Sequence, residues 1–388
     1  MSNDTRADFT FVIPNTRWHR EGEGRYWNHI PYPEGLLTAV LRKNGYTVNH
    51  VDANTNNLTE NELHDILKEK VGKVVGISAL SVEYRDAVHK TFAIIKKANS
   101  DVKTVLGGVY PSISPEVAKE DDNVDFIVIS EGEERLIKLM EALKNKTTLR
   151  YIDGLHYRDE NKEWKHNPRK SVGNVRNLDD LPFPDYSDYD TKKLFSWSQK
   201  YTQNFQFRQL PMTILMTSRG CVYKCTYCGA GKDGNPINDG IKRRSPGSIL
   251  DEIKSLVKNH GIREIIFVDD SLLLPRDSII DILKGITKLR EEGYDLVWKS
   301  NNFQQYTGLT PDSDGGKIAE RLSGFLGAFI GLGKVSRFLG IAQKPLGLGK
   351  KAGVTRRVTQ AARTSVRGGA AEFLSSPDNA VTLADSFD

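Results

Sequence analysis

Lys73-Val74-Val75-Gly76-Ile77-Ser78-Ala79-Leu80 is a short apolar run that closes on a serine, and its reading decides the fold of the first half of the chain. Runs of this length, rich in β-branched side chains and bounded by polar segments, form strands buried on both faces. Similar runs recur around it. Phe9-Thr10-Phe11-Val12-Ile13 ends at Pro14, and others lie at 46–52, 102–106 and 124–129. Between them, residues 34–43, 60–70, 82–98 and 133–143 carry helical spacing. Buried strands alternating with amphipathic helices predict an α/β fold, a Rossmann-like doubly wound parallel sheet over 1–145. Ligands of such sheets bind at the carboxyl ends of the strands. Ser78-Ala79-Leu80 closes the third strand there, and Gly107-Gly108 closes the fourth.

Residues 155–166 read as a hairpin, and Leu181-Pro182-Phe183-Pro184 punctuates a connector, so 146–205 is expected to link two domains. A second domain is expected over 206–308. It opens with a strand at 213–217. Ser245-Pro246 then starts a helix to 260, with serine as cap and proline in the first turn. A strand at 264–268, a helix at 277–292 and a strand at 296–300 complete two βα units and a third strand. That order suits the start of a partial TIM-like barrel, with chemistry at the strand ends.

The chain has 388 residues, enough for two or three domains, and a net charge of +5. Residues 309–388 hold eleven Lys+Arg and seven Asp+Glu, a balance of +4, which leaves the first 308 near neutral. Charge therefore gives no reason to expect a nucleic-acid partner. No apolar run reaches the length of a membrane span, and the first nine residues are polar. A cytoplasmic location with no transmembrane segment is expected.

The only three cysteines are Cys221, Cys225 and Cys228. Disulfides come in even numbers and suit oxidising compartments. Zinc usually takes four ligands, and no histidine lies near in sequence. Three thiolates at Cys-x3-Cys-x2-Cys spacing suit a 4Fe-4S cluster with one iron left without a protein ligand. Clustered structural cysteines and a zinc loop with a distant histidine are the other readings of these residues.

Cys221, Cys225 and Cys228, with Tyr227 before the last, resemble the signature of radical S-adenosylmethionine enzymes. The resemblance implies that the open iron binds the amino and carboxylate groups of S-adenosylmethionine, whose reductive cleavage gives a 5′-deoxyadenosyl radical. It places Tyr227 beside the cofactor, and Asp269 and Asp270 where the amino group of S-adenosylmethionine is contacted; helix capping or a turn is the plainer reading of those aspartates. Ser78-x-Leu80, with Gly107-Gly108 further on, resembles the elements of cobalamin-binding domains. It implies a hydroxyl for the nucleotide tail and a glycine-lined approach, so that bulk at Gly108 is expected to block the ligand. Such domains often carry Asp-x-His-x-x-Gly; here Arg17 stands in place of the aspartate before His19 and Gly22, which removes the partner that would orient the imidazole.

Together the two resemblances imply a cobalamin-dependent methyltransferase acting on a small molecule, with methylcobalamin supplying the methyl group and flavodoxin or ferredoxin the electrons. A radical cyclase or rearrangement enzyme of the same domain order, or a non-catalytic cluster- or cobalamin-binding protein, are the alternatives. The family's barrel has six βα units, and the likeness stops near residue 308. Residues 309–388 hold twelve of the thirty-three glycines and no Cys, His, Met, Trp or Tyr. They are expected to form a basic, glycine-rich tail, disordered or foreign in origin, that does not complete the barrel.

Overall fold

The computed structural model describes residues 6–19, 30–171, 175, 177–195, 211–221, 241–269 and 276–300. The expected tail, and with it Tyr227, Cys225, Cys228 and Asp270, lies outside the described residues.

Five strands form the first sheet: β1 (Phe9–Ile13), β2 (Val48–Asp52), β3 (Val74–Ser78), β4 (Lys103–Gly107) and β5 (Phe126–Val128). They run in the order β2-β1-β3-β4-β5, all parallel. Every residue of β1 is buried, because it is a central strand covered on both sides. That is why it reads as a continuous apolar run rather than an alternation.

The covering helices are α1 (Tyr32–Lys43), α2 (Glu60–Lys70), α3 (Arg85–Ala98), the short α4 (Val109–Ile113) and α5 (Pro115–Lys119), and α6 (Glu133–Asn145). Phe9, Phe11, Val74, Val105 and Phe126 pack with Leu41 of α1 and with Leu136, Leu139 and Met140 of α6. Val12, Val75, Ile77, Leu106 and Ile127 pack on the opposite face with Leu63 and Leu67 of α2 and Phe92 and Ile95 of α3. Each fully buried side chain of this size contributes roughly 1.5–3 kcal/mol.

Boundaries shift where a hydrogen bond outbids periodicity. β2 starts at Val48 rather than 46, since the Tyr46 N–H returns to the Leu41 carbonyl at 3.1 Å to close α1. Residues Val82–Tyr84 form a 3-10 turn ahead of α3, capped by the Ser81 hydroxyl accepting from the Glu83 N–H at 3.1 Å.

The sheet does not stop at 145. The expected hairpin, β6 (Leu155–Arg158) and β7 (Trp164–His166), joins it antiparallel, with His156 opposite Ile127. The connector then runs back along the domain as a strap. Arg42 donates to Asp185 and to Asp188, each at 2.6 Å, and His50 pairs with Asp188 at 2.9 Å. The hydrogen bond from His50, aided by Arg42 and opposed by burial, holds the Asp188 carboxyl down to about 2. Tyr186, Tyr189 and Phe195 bury their rings, the last in α7 (Thr191–Phe195).

The described residues up to 263, with Asp269, form one compact unit; those at 264–268 and 276–300 belong to a second. The first unit also holds β8 (Met212–Leu215), an antiparallel ribbon of β9 (Ser218–Arg219) and β10 (Lys242–Arg243), and α8 (Pro246–His260). The Ser245 hydroxyl caps α8 by accepting from the Ser248 N–H at 3.2 Å, and Pro246 sits in the first turn, as the sequence predicts. In the second unit, β11 (Glu264–Phe267) and β12 (Val297–Ser300) pair in parallel from Glu264↔Val297 to Phe267↔Ser300. The intervening α9 (Arg276–Glu291) buries Ile279, Ile282, Leu283 and Ile286. Among the described residues from 246 to 300, helix and strand alternate in chain order, α8-β11-α9-β12.

Arg244 and Glu252 form a buried ion pair at the start of α8. Burial pushes the Glu252 carboxyl up, and Arg244 offsets part of that. Glu252→Ala should cost about 3 kcal/mol, the low end for stranding a buried charge, because the Ser248 carbonyl still accepts from Arg244 at 3.2 Å. Arg244→Met with Glu252→Leu should be close to native in a urea melt. A single variant as stable as the native chain would show the pair to be idle.

Candidate functional site

Two places gather the residues marked by the sequence. The first is the carboxyl edge of β3 and β4, where Ser78 sits directly opposite Gly107. Strand order reverses between β1 and β3, and such switch points open a crevice for ligands. Ser78 is half-buried. Beyond it, Leu80, Val82 and Ile113 are 42%, 51% and 49% exposed, so this edge leaves large apolar groups in solvent. A ligand with a broad apolar face would cover them.

The two glycines differ. A Cβ on Gly107 would meet no atom within 4 Å, so the space beside it is open. Gly108 has φ +97°, and its Cβ would lie 2.5 Å from the Ala79 carbonyl oxygen. The space expected beside Gly108 is therefore taken by the chain's own backbone. The Ala79 N–H donates to the Gly107 carbonyl at 2.8 Å, and the Ala79 carbonyl accepts from the Tyr110 N–H at 3.0 Å. Gly108 locks the turn and Gly107 leaves room.

Thr16–His19 forms a 3-10 turn after β1. Arg17 donates from Nη1 to the Asn54 carbonyl at 2.9 Å, a backbone tie in the place where an imidazole-orienting aspartate is absent.

The second place is the stem of the cysteine loop. β8 leads to Thr217 and Ser218, and the β9–β10 ribbon closes the loop through Arg219↔Lys242 and Ser218↔Arg243. Cys221 follows within this stem and is half-buried. Asp269 is 4% exposed. Its Oδ1 accepts from the Thr217 N–H at 2.9 Å, the Thr217 hydroxyl at 2.8 Å and the Ser218 hydroxyl at 2.6 Å. Burial pushes its carboxyl up, against these bonds. One carboxylate oxygen is thus committed to the strand end that enters the loop.

Four residues at the stem carry no motif and escape sequence reasoning. Arg219 Nη2 donates to Glu133 at 2.6 Å and Nη1 lies 3.5 Å from Glu131, while Lys242 reaches Glu131 at 3.3 Å. Burial pushes the Glu133 carboxyl up, but Arg219 overrides it and the group sits below the usual range. The only sequence signal was an acidic first turn of α6, which favourable helix-dipole interaction explains by itself.

The donor set suits the expected groups. Thiolates at this spacing fit an iron–sulfur cluster, and open space at Gly107 beside exposed apolar side chains fits a large ligand of corrin type.

Comparison with known proteins follows the same division. Residues 30–140 match the family described as "B12 binding domain", and residues 215–323 match "Radical SAM superfamily". The second match runs past residue 308. An uncharacterized methyltransferase, PH0819 of Pyrococcus horikoshii, is 28% identical over 273 residues, 70% of this chain and 55% of that protein. The anaerobic magnesium-protoporphyrin IX monomethyl ester cyclase of Rubrivivax gelatinosus is 28% identical over 300 residues, 75% of this chain and 49% of that protein. Among solved structures, the radical S-adenosylmethionine methyltransferase TsrM from Kitasatospora setae, with cobalamin and a [4Fe-4S] cluster bound, aligns with a TM-score of 0.57. That alignment has 18% identity and covers 75% of this chain and 55% of TsrM, a likeness of fold. The chain spans about half the length of the curated relatives it matches. No helix among the described residues is long and apolar enough to cross a membrane. In this one polypeptide, a B12 binding domain precedes a Radical SAM superfamily domain.

Proposed function

We propose that this chain binds a 4Fe-4S cluster, S-adenosylmethionine and cobalamin, and that it serves methyl transfer to an unactivated carbon or phosphorus of a small molecule. The observation that carries this reading is the three-thiolate spacing on a loop whose stem is gripped by Asp269, in a chain whose first sheet offers an open glycine at its ligand edge. When bound, the cluster and S-adenosylmethionine supply a radical and cobalamin supplies a methyl group.

The chain's own residues hold and orient. Cys221, Cys225 and Cys228 ligate the cluster, and Tyr227 packs beside it. Asp269 fixes the Thr217–Ser218 strand end through one carboxylate oxygen, and Asp269 and Asp270 stand at the position that contacts the amino group of S-adenosylmethionine. Ser78 offers a hydroxyl to the ligand's polar tail, Leu80 an apolar surface, Gly107 space and Gly108 the fixed turn. The electron donor is a small flavodoxin- or ferredoxin-type protein, and the location is the reducing cytoplasm.

The cyclase relative supports a second reading, ring formation or rearrangement without methyl transfer. One experiment separates them. The full chain, reconstituted anaerobically with iron, sulfide and hydroxocobalamin, is reduced and given S-adenosylmethionine. Methyl transfer should release S-adenosylhomocysteine at about one equivalent per cobalamin. Formation of 5′-deoxyadenosine without it favours the cyclase reading. Neither product would mark a binding protein without catalysis.

A further inference from the structure

Ion pairs, the Ser130–Glu131 peptide bond and two hydrogen bonds link the cysteine-loop stem to the glycine turn of the first sheet. Arg219 and Lys242 stand opposite each other on the β9–β10 ribbon. Their two positive charges meet two carboxylates, Glu131 and Glu133, just after β5 and at the start of α6. Next to Glu131, the Ser130 N–H donates to the Ser112 hydroxyl at 2.8 Å. That hydroxyl donates to the Gly108 carbonyl at 2.7 Å. Gly108 in turn lies against the Ala79 backbone, one residue past Ser78.

A balanced, buried set of charges adds little net stability, since desolvation offsets attraction. What it does supply is geometry. Moving the ribbon would strand Glu133, which is 6% exposed, so ribbon and carboxylates shift together or not at all. Ser130 holds a left-handed backbone, φ +69°, which gives the segment between β5 and α6 little freedom to absorb a shift.

We propose that Arg219, Lys242, Glu131 and Glu133, through Ser130 and Ser112, form a positioning strut that couples the cluster loop to the cobalamin edge at Gly107–Gly108. This rests on the cofactor reading above. None of the six touches a reacting atom. Ligation of the cluster at Cys221 would fix the ribbon, and the fixed ribbon would hold the glycine turn in its binding conformation. A ligand that finds its site already ordered binds more tightly, and the coupling is reciprocal.

The test is a titration of hydroxocobalamin into the full chain, before and after anaerobic assembly of the cluster, read by absorbance. Cluster assembly should tighten cobalamin binding by roughly fivefold or more. Arg219→Met with Glu133→Leu replaces one pair by apolar groups of similar volume, a change that buried pairs often tolerate. Ser112→Ala removes only the bridge and no charge. Both variants should still bind iron and cobalamin, with the ratio brought near one. A ratio near one in the native chain, or the native ratio in either variant, overturns the strut alone. If the native chain takes up no cluster or no cobalamin, the functional reading and the strut fall together. Should the double variant fail to fold, Ser112→Ala decides.

Discussion

Alanine in place of any one of Cys221, Cys225 or Cys228 should take the anaerobically reconstituted chain from about four iron and four sulfide to nearly none. The effect is large because the site has no spare ligand. Three thiolates already leave one iron of a cubane open, and losing a second leaves two irons to solvent or to foreign ligands. Each substitution should act alone and equally, unlike removal of a structural side chain, whose cost depends on how well its surroundings collapse. Cys221 is the sharpest of the three as a test, since Asp269 still grips Thr217 and Ser218 when the thiol is gone. Iron loss there reports ligation and not a collapsed stem. Stoichiometric zinc with tetrahedral ligation, and no iron, would sink the cluster assignment.

The second large effect separates two neighbouring glycines. Gly107→Trp should leave the melting behaviour near native, because the added side chain enters open space. Cobalamin affinity should fall by roughly a hundredfold or more, about 2.8 kcal/mol. Gly108→Ala should act the other way. Its backbone, at φ +97° and ψ −169°, lies in a region that essentially only glycine adopts and costs about 1–3 kcal/mol for a residue with a Cβ. The new atom would also press on the Ala79 carbonyl, which is backbone and cannot swing aside. A lowered unfolding midpoint is expected first, with weaker binding as its consequence. Native cobalamin affinity in Gly107→Trp would move the ligand away from this edge.

These two residues show where sequence reading stops. The pair Gly107-Gly108 was legible as a strand end without side chains, but which glycine has open space beside it and which is closed in depends on where Ala79 lies, and no periodicity carries that. The five parallel strands were legible because burial on both faces demands apolar runs. The cap of α8 was legible because Ser245 and Pro246 act on their own helix. The spacing of Cys221, Cys225 and Cys228 was legible as suiting a cluster, and the alanine substitutions above are its test. Asp269 was marked as a site residue, yet its grip on Thr217 and Ser218 joins residues far apart in the chain. Arg219 and Glu133 were invisible for the same reason: charged residues on separate elements read as solvated surface until a fold brings them together and buries them. The hairpin at 155–166 was legible, but not its place as the edge of the first sheet, since strand pairing across a domain leaves no local trace.

The strap formed by Asp185, Asp188, Tyr186 and Phe195 has a consequence for modularity. A gene exchange or an excision that cuts at residue 145 would part the sheet from its last two strands, leave β5 with an open edge, and uncover Arg42 and His50. A cut near 175 keeps the strands but still strips the strap. The strap belongs to the same compact unit as the sheet, and that unit runs on to residue 263, with the rings of Tyr186 and Phe195 against His260. Shuffling this domain onto another catalytic partner would therefore carry the connector along as part of the inherited piece.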